Sequence, residues 1–366
     1  MTPRGDVAFV HDYLTQRGGA ERVVLSMAAA FPESPIHTSL YDPDATFPQF
    51  AALDVRPLSL NRVGVLRSHH RLALPVLAPA FSRLSVDAGV TICSSSGWAH
   101  GARVSGRKIV YCYTPARWLY QPQRYLGGAS RGSAAALYAM TPALKRWDRR
   151  AAATAHRYLV ISRAVQARVA DLYGIEADIL HPPVDLDTDG PAEPVPGLEP
   201  GFFLCVSRLL PYKNVEAVVA AFRRLPEHRL VVVGTGPLAP AISAGAPPNV
   251  SMAGQVSDAG LRWMYRSAAG LVAASHEDFG LTPVEAAAFG KPAAALRWGG
   301  FLDTTVEGTT GVFFDEPEPE AIAQSIERLA AMAWDAAGLR DHAERFSGPR
   351  FTARLRQVVD EEQAVV

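Results

Sequence analysis

The chain is poor in cysteine, has no excess of charge of either sign and contains no long hydrophobic run. Its three cysteines, Cys93, Cys112 and Cys205, are too few and too scattered among 366 residues for a disulfide framework or a zinc site. Each lies in or beside an apolar strand-like run, as a small buried hydrophobe would. The 36 basic residues are balanced by 36 acidic ones, which argues against nonspecific coating of nucleic acid, so we expect no nucleic-acid partner.

Signals for membrane crossing and secretion are also missing. The longest helix-like apolar stretch, residues 72–81, contains two prolines and is far shorter than the roughly 20 residues that span a bilayer. The first residues lead directly into a strand-like segment, without the apolar region of a signal peptide. With a length that suits two domains, these features predict a cytoplasmic, two-domain protein.

What the sequence does contain is an alternation of short apolar runs and Ala/Leu/Arg-rich stretches, which is typical of a parallel α/β sheet. In the first half it predicts strands at residues 7–10, 34–39, 90–94, 108–113 and 157–161, and helices at residues 20–30, 133–155 and 163–173. In the second half it predicts strands at residues 202–206, 229–233, 250–253, 270–274, 292–295 and 311–314. The helices predicted there cover residues 214–225, 257–267, 283–289 and 318–332.

Two proline-containing segments divide this pattern. Residues 182–196 are dense in proline and lack apolar periodicity, which indicates a connection between two domains. A second break at Ser347-Gly348-Pro349 is followed by a final helical segment at residues 351–363. We therefore expect two doubly wound domains that face each other. Open α/β sheets bind ligands at the carboxyl ends of their strands, so the cleft between the domains is the expected site.

The strongest candidate for chemistry runs from Ser275 to Glu285, between a predicted strand and a predicted helix. Thr282 as N-cap, Pro283 at the first helical position and Glu285 at the third form a capping box, which is a purely structural explanation for Glu285. A capping box explains neither Glu277 nor the Phe279-Gly280 pair on the preceding loop. Carboxylates beside the amides of a helix N-terminus suit a ligand with phosphate at its middle and hydroxyls at its ends.

Cations for such a phosphate are expected from another loop. Arg208 and Lys213 follow the predicted strand at residues 202–206, where both could neutralise a diphosphate. A solvated surface loop is the structural alternative for this segment, and the sequence leaves both interpretations open.

Three further turns follow predicted strands. Gly234-Thr235-Gly236-Pro237 lacks the third glycine and the helix of a dinucleotide fingerprint, but it suits a tight turn near a nucleotide. The segment that ends at Val256 could place backbone groups against a base. Gly18-Gly19 before a helix offers close backbone approach and amide donors, although such a pair is more often only a turn.

Together these segments resemble the retaining glycosyltransferases of family four, which have the GT-B fold. The resemblance covers nearly the whole chain, and its most specific part is the pair Glu277 and Glu285, which have seven residues between them, Phe279-Gly280 included. The supporting segments are Gly18–Glu21, Ser162–Val165, Pro182–Asp185, Ser207–Leu209 with Lys213, and Gly234–Pro237. In the N-terminal half, Tyr111–Trp118 is more narrowly similar to mannosyltransferases of surface-polysaccharide assembly.

The resemblance implies two facing Rossmann-like domains with an interdomain cleft and a C-terminal crossover helix. The acceptor-side domain would comprise residues 1–181 and 350–366, and the donor-binding domain residues 182–349. The reaction would need no cofactor and no metal, because cationic side chains and helix N-termini take the place of the metal. In the retaining reaction the acceptor attacks on the face that the nucleotide leaves, so no protein nucleophile is expected.

The resemblance also implies roles for individual residues. Arg208 and Lys213 would bind the donor diphosphate and stabilise the leaving group, and Glu277 would hydrogen-bond the donor sugar. Glu285 would bind the ribose hydroxyls. The backbone would contact sugar, phosphate or nucleotide at Gly18, Gly19, Gly234, Gly236, Val256, Phe279, Gly280, Leu281 and Thr282.

We place Tyr113, Asp12 and Arg117 on the side of the donor sugar and the acceptor. Relatives usually carry His in the position of Tyr113. A tyrosine still donates a hydrogen bond, but it is larger and is not positively charged at neutral pH, which leaves the identity of the donor sugar open.

One basic and apolar segment, residues 61–81, has two interpretations that the sequence does not separate. Its arginines and histidines with Leu, Val, Pro and Phe suit docking at the inner face of a membrane or a lipid-phosphate acceptor, and they also suit a partly buried helix. His69-His70 lies there without Cys or acidic neighbours, so a metal site is not expected.

The sequence thus predicts an enzyme that transfers a hexose, for which we expect GDP-mannose as donor, to a hydroxyl of a glycan, a lipid-linked saccharide or a small molecule. UDP- and TDP-linked sugars stay open. Two alternatives also stay open: a nucleotide-sugar hydrolase or epimerase on the same fold, and a catalytically impaired nucleotide-binding partner protein.

Overall fold

The computed structural model describes residues 6–68, 73–121, 131–184 and 187–365. Its internal contacts divide the chain into two compact units. The first unit comprises Met1–Pro183 and Gly348–Val366, and the second comprises Val184–Ser347.

The first unit is built on a parallel sheet in the order β3-β2-β1-β5-β7-β8-β9. Its strands are β1 (Val7–His11), β2 (Ile36–Thr38), β3 (Val55–Pro57), β5 (Val90–Ser95), β7 (Arg107–Cys112), β8 (Arg157–Val160) and β9 (Asp178–Ile179). A separate parallel pair is formed by β4 (Ser85–Val86) and β6 (Arg103–Val104). All six residues of β5 are buried, as expected of a central parallel strand with both faces covered.

Helices cover the first sheet. They are Gly19–Ala30, Gly64–Ser68, Leu74–Arg83, Arg117–Tyr120, Arg131–Ala152, Arg163–Tyr173 and Gly348–Gln363, with 3₁₀ turns at Pro48–Ala52, Ser59–Arg62 and Ala99–Gly101. The ends of Arg163–Tyr173 follow from its sequence. The Ser162 hydroxyl accepts from the Val165 N–H at the start, and Gly174 adopts a left-handed conformation at the end.

The final helix returns to the first unit, which confirms the predicted crossover helix. The Arg356 Nε donates to the Ala30 carbonyl over 3.1 Å, and Arg107 forms an ion pair of 2.6 Å with Glu362. The helix begins at Gly348 rather than at the predicted residue 351. Pro349 does not break it, because proline is tolerated in the first helical turn.

The second unit contains a parallel sheet in the order β12-β11-β10-β13-β14-β15. Its strands are β10 (Phe203–Val206), β11 (Leu230–Val233), β12 (Val250–Gly254), β13 (Gly270–Ala273), β14 (Ala293–Leu296) and β15 (Gly311–Phe314). Its helices are Val215–Ala221, Ala239–Ala244, Asp258–Ser267, Leu281–Ala288, Phe301–Thr304, Pro319–Ala331 and Ala336–Glu344, with 3₁₀ turns at Pro211–Lys213 and Phe222–Arg224.

The predicted α/β class with two doubly wound parallel sheets is therefore confirmed. Each predicted strand is present, with ends that move by two residues at most. The helix predicted at residues 214–225 is shorter, because its last turn tightens into the 3₁₀ turn Phe222–Arg224. The proline-rich stretch also differs from a free connection: the Asp187 carbonyl accepts from Arg262 Nε over 2.8 Å, so this part is fastened to the second unit.

In each sheet the strand order reverses beside the first strand of its unit. In the second unit, β10 lies between β11 and β13, and in the first unit, β1 lies between β2 and β5. The loops that leave β10 and β13 start side by side at one edge of the sheet, which is where open α/β sheets bind ligands.

The described part of residues 61–81 forms separate short elements. The 3₁₀ turn Ser59–Arg62 and the helices Gly64–Ser68 and Leu74–Arg83 cover the described part, while His69, His70 and Arg71 lie outside the described residues. Leu77 and Phe81 are buried, whereas Val65 is 61% exposed. Among the described helices, none is both long and apolar enough to cross a membrane.

Candidate functional site

The loop after β10 is tied to the loop after β13. Asn214 adopts a left-handed conformation with φ +54°, and its side-chain amide donates to the Ala274 carbonyl over 2.8 Å. This turn places Lys213, the last residue of a 3₁₀ turn, beside the second loop. Arg208 is exposed, and its guanidinium lies 3.2 Å from the Tyr212 hydroxyl.

The structure brings together two of the predicted catalytic side chains. The Lys213 Nζ donates to Glu277 Oε1 in a close ion pair, and the Ser275 hydroxyl donates to the same oxygen over 3.1 Å. The Lys213 side chain is 11% exposed and that of Glu277 is 26% exposed, so the pair is reached by solvent from one side. The ammonium and the carboxylate neutralise each other at the carboxyl edge of the sheet.

The helix after this loop begins differently from the prediction. The capping box of Thr282, Pro283 and Glu285 is wrong: the helix starts at Leu281, its N-cap is Gly280, and no side chain caps it. Gly280 has φ +84°, and a Cβ at this position would overlap the Phe301 ring, so only glycine suits the turn. The amides of the first turn, from Leu281 onwards, therefore keep their donors for a ligand.

Glu285 is held by a tyrosine instead. The Tyr265 hydroxyl donates to Glu285 Oε2 over 2.6 Å. The Tyr265 ring is fully buried and stacks on Phe289 at 5.3 Å, and burial raises the pKa of its hydroxyl well above the usual value. Tyr265 escaped the sequence analysis, because nothing in the spacing of the two residues signals their contact.

A second glycine pair supports the Glu277 loop and was also missed. The Gly300 N–H donates to the Glu277 carbonyl over 2.9 Å, and a Cβ at Gly300 would overlap the backbone of Phe279. Gly299-Gly300 follows β14 as Gly18-Gly19 follows β1, so the pattern that drew attention to the first pair could have indicated the second.

The predicted nucleotide turn packs on the cationic loop. A Cβ at Gly234 would overlap the Ser207 carbonyl, one at Gly236 would overlap the Leu209 carbonyl, and the Leu209 N–H donates to the Thr235 carbonyl over 2.9 Å. The turn is followed by the helix Ala239–Ala244, so the expectation that no helix follows it is wrong. Val256 is half-buried and follows β12 by two residues.

In the first unit, Gly18 and Gly19 open a helix whose first turn contains a buried acid. Gly18 is the N-cap of Gly19–Ala30, and a Cβ there would crowd the Glu21 carboxylate. Glu21 accepts from the Gln16 amide over 3.0 Å, and burial raises the pKa of Glu21. Gly19 is exposed.

Asp12 has a different environment from the one expected of a substrate-binding group. Its carboxylate accepts backbone N–H donors from Ser96 and Ala99, each over 2.7 Å, and from Trp98 over 3.2 Å. Asp12 is buried, and burial raises its pKa. Its acceptor capacity serves the loop after β5, so Asp12 shapes this edge of the sheet.

Tyr113 takes part in a buried chain of polar groups. Its hydroxyl donates to the Ala20 carbonyl over 3.0 Å and lies 2.9 Å from the Ser94 hydroxyl, which in turn lies 3.0 Å from His11 Nδ1. Burial raises the pKa of Tyr113 and lowers that of His11 to about 4, so both are neutral at pH 7. Arg117 is half-buried and begins the helix Arg117–Tyr120.

Metal ligands are not grouped in the described ranges: no cluster of three or more His, Cys, Asp or Glu side chains there is arranged to hold an ion.

Comparison with known proteins gives two family matches in succession along the chain. The profile described as "Glycosyltransferase Family 4" matches residues 17–188, and that described as "Glycosyl transferases group 1" matches residues 191–345.

Two curated relatives are similar to parts of the chain. The D-inositol 3-phosphate glycosyltransferase of Segniliparus rotundus is 33% identical over 198 residues, which cover 46% of this chain and 43% of that protein. The GDP-mannose-dependent alpha-(1-6)-phosphatidylinositol monomannoside mannosyltransferase of Mycolicibacterium smegmatis is 28% identical over 225 residues, or 53% and 58% of the two chains. The chain thus spans about half the length of the curated relatives it matches.

Solved structures share the fold over the whole chain. Anabaena Alr3699/HepE in complex with UDP-glucose superposes with a TM-score of 0.69 over 97% of this chain and 99% of that chain, at 16% identity. Sucrose-phosphate synthase from Thermosynechococcus elongatus gives a TM-score of 0.69 over 99% and 100% of the two chains, at 18% identity.

Proposed function

Because the chain belongs to the glycosyltransferases of family four and has the GT-B fold, we propose that it transfers a hexose from a nucleoside-diphosphate sugar to an acceptor hydroxyl with retention of configuration. The observation that carries this proposal is the ion pair of Lys213 and Glu277 beside the uncapped helix N-terminus at Gly280. Cation, acid and free amides lie on neighbouring loops, as a ligand with both phosphate and hydroxyl groups requires.

Donor binding would exchange the partners of this ion pair. The Lys213 ammonium would turn to the diphosphate together with the exposed Arg208 guanidinium. Glu277, released from Lys213, would accept hydrogen bonds from hydroxyls of the sugar. In this way the enzyme stores both charges as a neutral pair and separates them only when a ligand of the right chemistry arrives.

Catalysis would follow from electrostatic stabilisation of the leaving group. As the bond between the anomeric carbon and the phosphate oxygen breaks, negative charge grows on the diphosphate, where Arg208, Lys213 and the amides around Phe279, Gly280, Leu281 and Thr282 would stabilise it. The acceptor oxygen would form the new bond to the anomeric carbon on the same face, and its proton would pass to the departing phosphate oxygen. With these cations and amides the proposed reaction would need no metal, and with attack on the face that the nucleotide leaves it would need no protein nucleophile.

The nucleoside would be held by Glu285 and by the turns after β11 and β12. The Glu285 carboxylate, oriented by Tyr265, would accept from the ribose hydroxyls. Gly234, Gly236 and the backbone around Val256 would contact the nucleotide. In the first unit, we assign Gly18 and Gly19 to the phosphate and Tyr113 and Arg117 to the sugar and acceptor.

For the donor we propose GDP-mannose. Its support is the resemblance of Tyr111–Trp118 to mannosyltransferases and the similarity to a relative described as GDP-mannose-dependent. UDP-glucose is the competing donor, since a structural neighbour was solved with it. For the acceptor we propose a glycan, a lipid-linked saccharide or a small molecule, with peripheral membrane contact through residues 61–81.

A thermal-shift screen with nucleoside diphosphates and their sugars tests the proposal. A ligand that binds only the folded protein raises the melting temperature, and we expect the largest rise with GDP-mannose. Glu277→Ala should lose the extra rise that the sugar gives over the nucleotide alone, while it keeps the rise with the nucleotide. Equal loss of both would contradict the sugar-binding role of Glu277.

Product analysis with the donor so identified separates the remaining alternatives. A new glycoside that forms only with an acceptor supports the transferase. Free hexose or an isomerised donor without acceptor would indicate a hydrolase or an epimerase. Nucleotide binding with no turnover across a broad panel of acceptors would indicate a binding protein.

A further inference from the structure

The first unit contains a cavity at the end of its sheet opposite the carboxyl edge. It has a volume of about 660 Å³ and lies at the amino ends of β7 and β8, because it is lined by Lys108, the second residue of β7, and by His156, which precedes β8. Asp12 and Tyr113 lie at the opposite, carboxyl ends of their strands. The cavity is therefore separate from the edge assigned to the donor and acceptor.

The lining of this cavity is strongly basic. Arg103, Arg146, Arg150 and Lys108 contribute to it, and its lining residues include no Asp or Glu. Within the described parts of the chain, no carboxylate lies within 4 Å of the three guanidinium groups. This concentration of charge stands out in a chain whose formal net charge is zero.

Two of the arginines lie at positions that destabilise the helix to which they belong. Arg146 and Arg150 are four residues apart on Arg131–Ala152, so they lie on one face, where like charges destabilise a helix. The acid between them, Asp148, does not offset this. It is buried and accepts hydrogen bonds from the Tyr120 and Tyr173 hydroxyls, each over 2.7 Å.

A buried lysine lines the cavity; burial lowers its pKa, while three hydrogen-bond acceptors favour its ammonium form. Lys108 is 3% exposed, and its Nζ donates to the carbonyls of His100 and Ala102, over 3.1 and 2.6 Å, and to the Thr154 hydroxyl over 2.7 Å. Its three hydrogens are thus engaged, so Lys108 adds charge in a region of low dielectric constant while the arginines supply the free donors.

One wall is an indole ring that cannot readily turn away. The Trp147 Nε1 donates to the Ser82 hydroxyl over 2.8 Å, and the ring packs against Trp98 at 5.7 Å and His100 at 5.6 Å. Arg146 directly precedes Trp147 and Arg150 follows it by three residues on the same helix, so both stems start close to a fixed surface.

From this geometry we propose that the cavity is a binding site for a phosphate ester or diphosphate group, held by Arg103, Arg146 and Arg150 above the Lys108 charge. Guanidinium groups match phosphate oxygens in bidentate pairs, and three of them, from two elements, line this one cavity. The phosphate group belongs either to a soluble compound or to a lipid headgroup. The proposal does not depend on the donor chemistry of the second unit.

The test compares two double variants with the same change of charge on the same helix. Arg146→Ala/Arg150→Ala removes the cavity pair. Lys145→Ala/Arg149→Ala is the control, since Lys145 lies over the Tyr120 ring and neither residue lines the cavity. Calorimetric titration with inorganic pyrophosphate probes the soluble source, and co-sedimentation with phosphatidylcholine vesicles, with and without phosphatidylglycerol, probes the lipid source.

We expect the cavity variant to bind one of the two probes at least about tenfold more weakly than wild type, because it loses two charge-assisted contacts, while the control stays near wild type. Arg103→Ala, on a different element, should weaken the same probe. Pyrophosphate as the affected probe identifies a soluble ligand, and phosphatidylglycerol identifies a headgroup. Equal losses in both double variants, or no binding of either probe by the wild type, would overturn the proposal.

Discussion

The polar groups at the carboxyl edges of the two sheets are held in opposite ways. In the second unit, Lys213 and Glu277 have each other as partners at partly exposed positions, next to the exposed Arg208. In the first unit, Asp12 and His11 are buried and are bonded to backbone groups and hydroxyls. A ligand can compete with the few side-chain partners of Lys213 and Glu277, but it cannot replace a set of backbone hydrogen bonds. The second unit therefore offers exchangeable charge, and the first offers a fixed shape.

The largest expected effect comes from removal of Lys213, the cation that is paired with Glu277. Lys213→Ala should lower the rate of transfer on the order of 10²–10³-fold, because the leaving group loses a preorganised positive charge. The measurement is release of nucleoside diphosphate in the presence of acceptor. Lys291→Ala removes a charge from the same unit, outside the proposed site, and should leave turnover close to wild type. Wild-type turnover in Lys213→Ala would refute the assignment of the diphosphate site.

The buried polar groups of the first unit are tested through the pH dependence of the unfolding free energy, with His11 as the example. Burial lowers the pKa of His11 from 6.5 to about 4, so the folded chain favours the neutral ring. The contribution of His11 to the unfolding free energy is therefore complete above pH 6.5, the pKa of His11 in the unfolded chain. It is lost as the pH falls towards 4, the pKa of His11 in the folded chain. Relative to His11→Gln, wild type should therefore lose roughly 3 kcal/mol of unfolding free energy over that range.

Urea unfolding of both proteins between about pH 4.5 and pH 8 measures this difference. Burial raises the pKa of Asp12 and Glu21, which shifts stability in the opposite direction, but both proteins contain these acids and their effect cancels. The difference should be constant above pH 7. A difference that is also constant below pH 6 would show that the buried ring does not control stability.

Backbone support of the Glu277 loop is the third point of comparison. Gly300→Ala should destabilise the second unit by about 1–3 kcal/mol, because the new methyl group overlaps the Phe279 backbone. It should also reduce transfer by up to about 100-fold through displacement of the loop. Gly308→Ala is the matched control, since Gly308 has a positive φ but nothing within 4 Å of a Cβ. Equal effects of the two variants on transfer would mean that the overlap with the Phe279 backbone is not responsible.

Much of the fold was predictable because buried parallel strands are continuous apolar runs. Residues 311–314 and the helix at residues 163–173 were predicted with the bounds that the structure has. The edge strand Val55–Pro57 was missed, because an exposed strand of three residues has no such run. The helix Ala336–Glu344 was missed as well.

The candidate site was predictable in its members but not in its contacts. Glu277 and Lys213 are separated by many residues in sequence, so only the neighbouring positions of β10 and β13 bring them together. The predicted capping box is wrong because the left-handed Gly280 is the N-cap. The helix therefore starts two residues earlier than predicted, and Thr282 lies inside it. The partners of Asp12 were not predicted either, since backbone donors from a distant loop carry no signal in the sequence.

The smallest expected effect concerns Tyr265, a buried side chain that holds Glu285 in the second unit. Tyr265→Phe keeps the ring on Phe289 but removes the hydrogen bond to Glu285, so the KM for the donor should rise about 2–10-fold with little change in kcat. The effect should disappear in a Glu285→Ala background, which leaves the Tyr265 hydroxyl no oxygen at position 285, if Tyr265 acts only by orienting the carboxylate. A loss of kcat that persists in that background would show that Tyr265 acts through the packing of the second unit. The proposed donor site would then depend on rigid packing as well as on charged side chains that change partners.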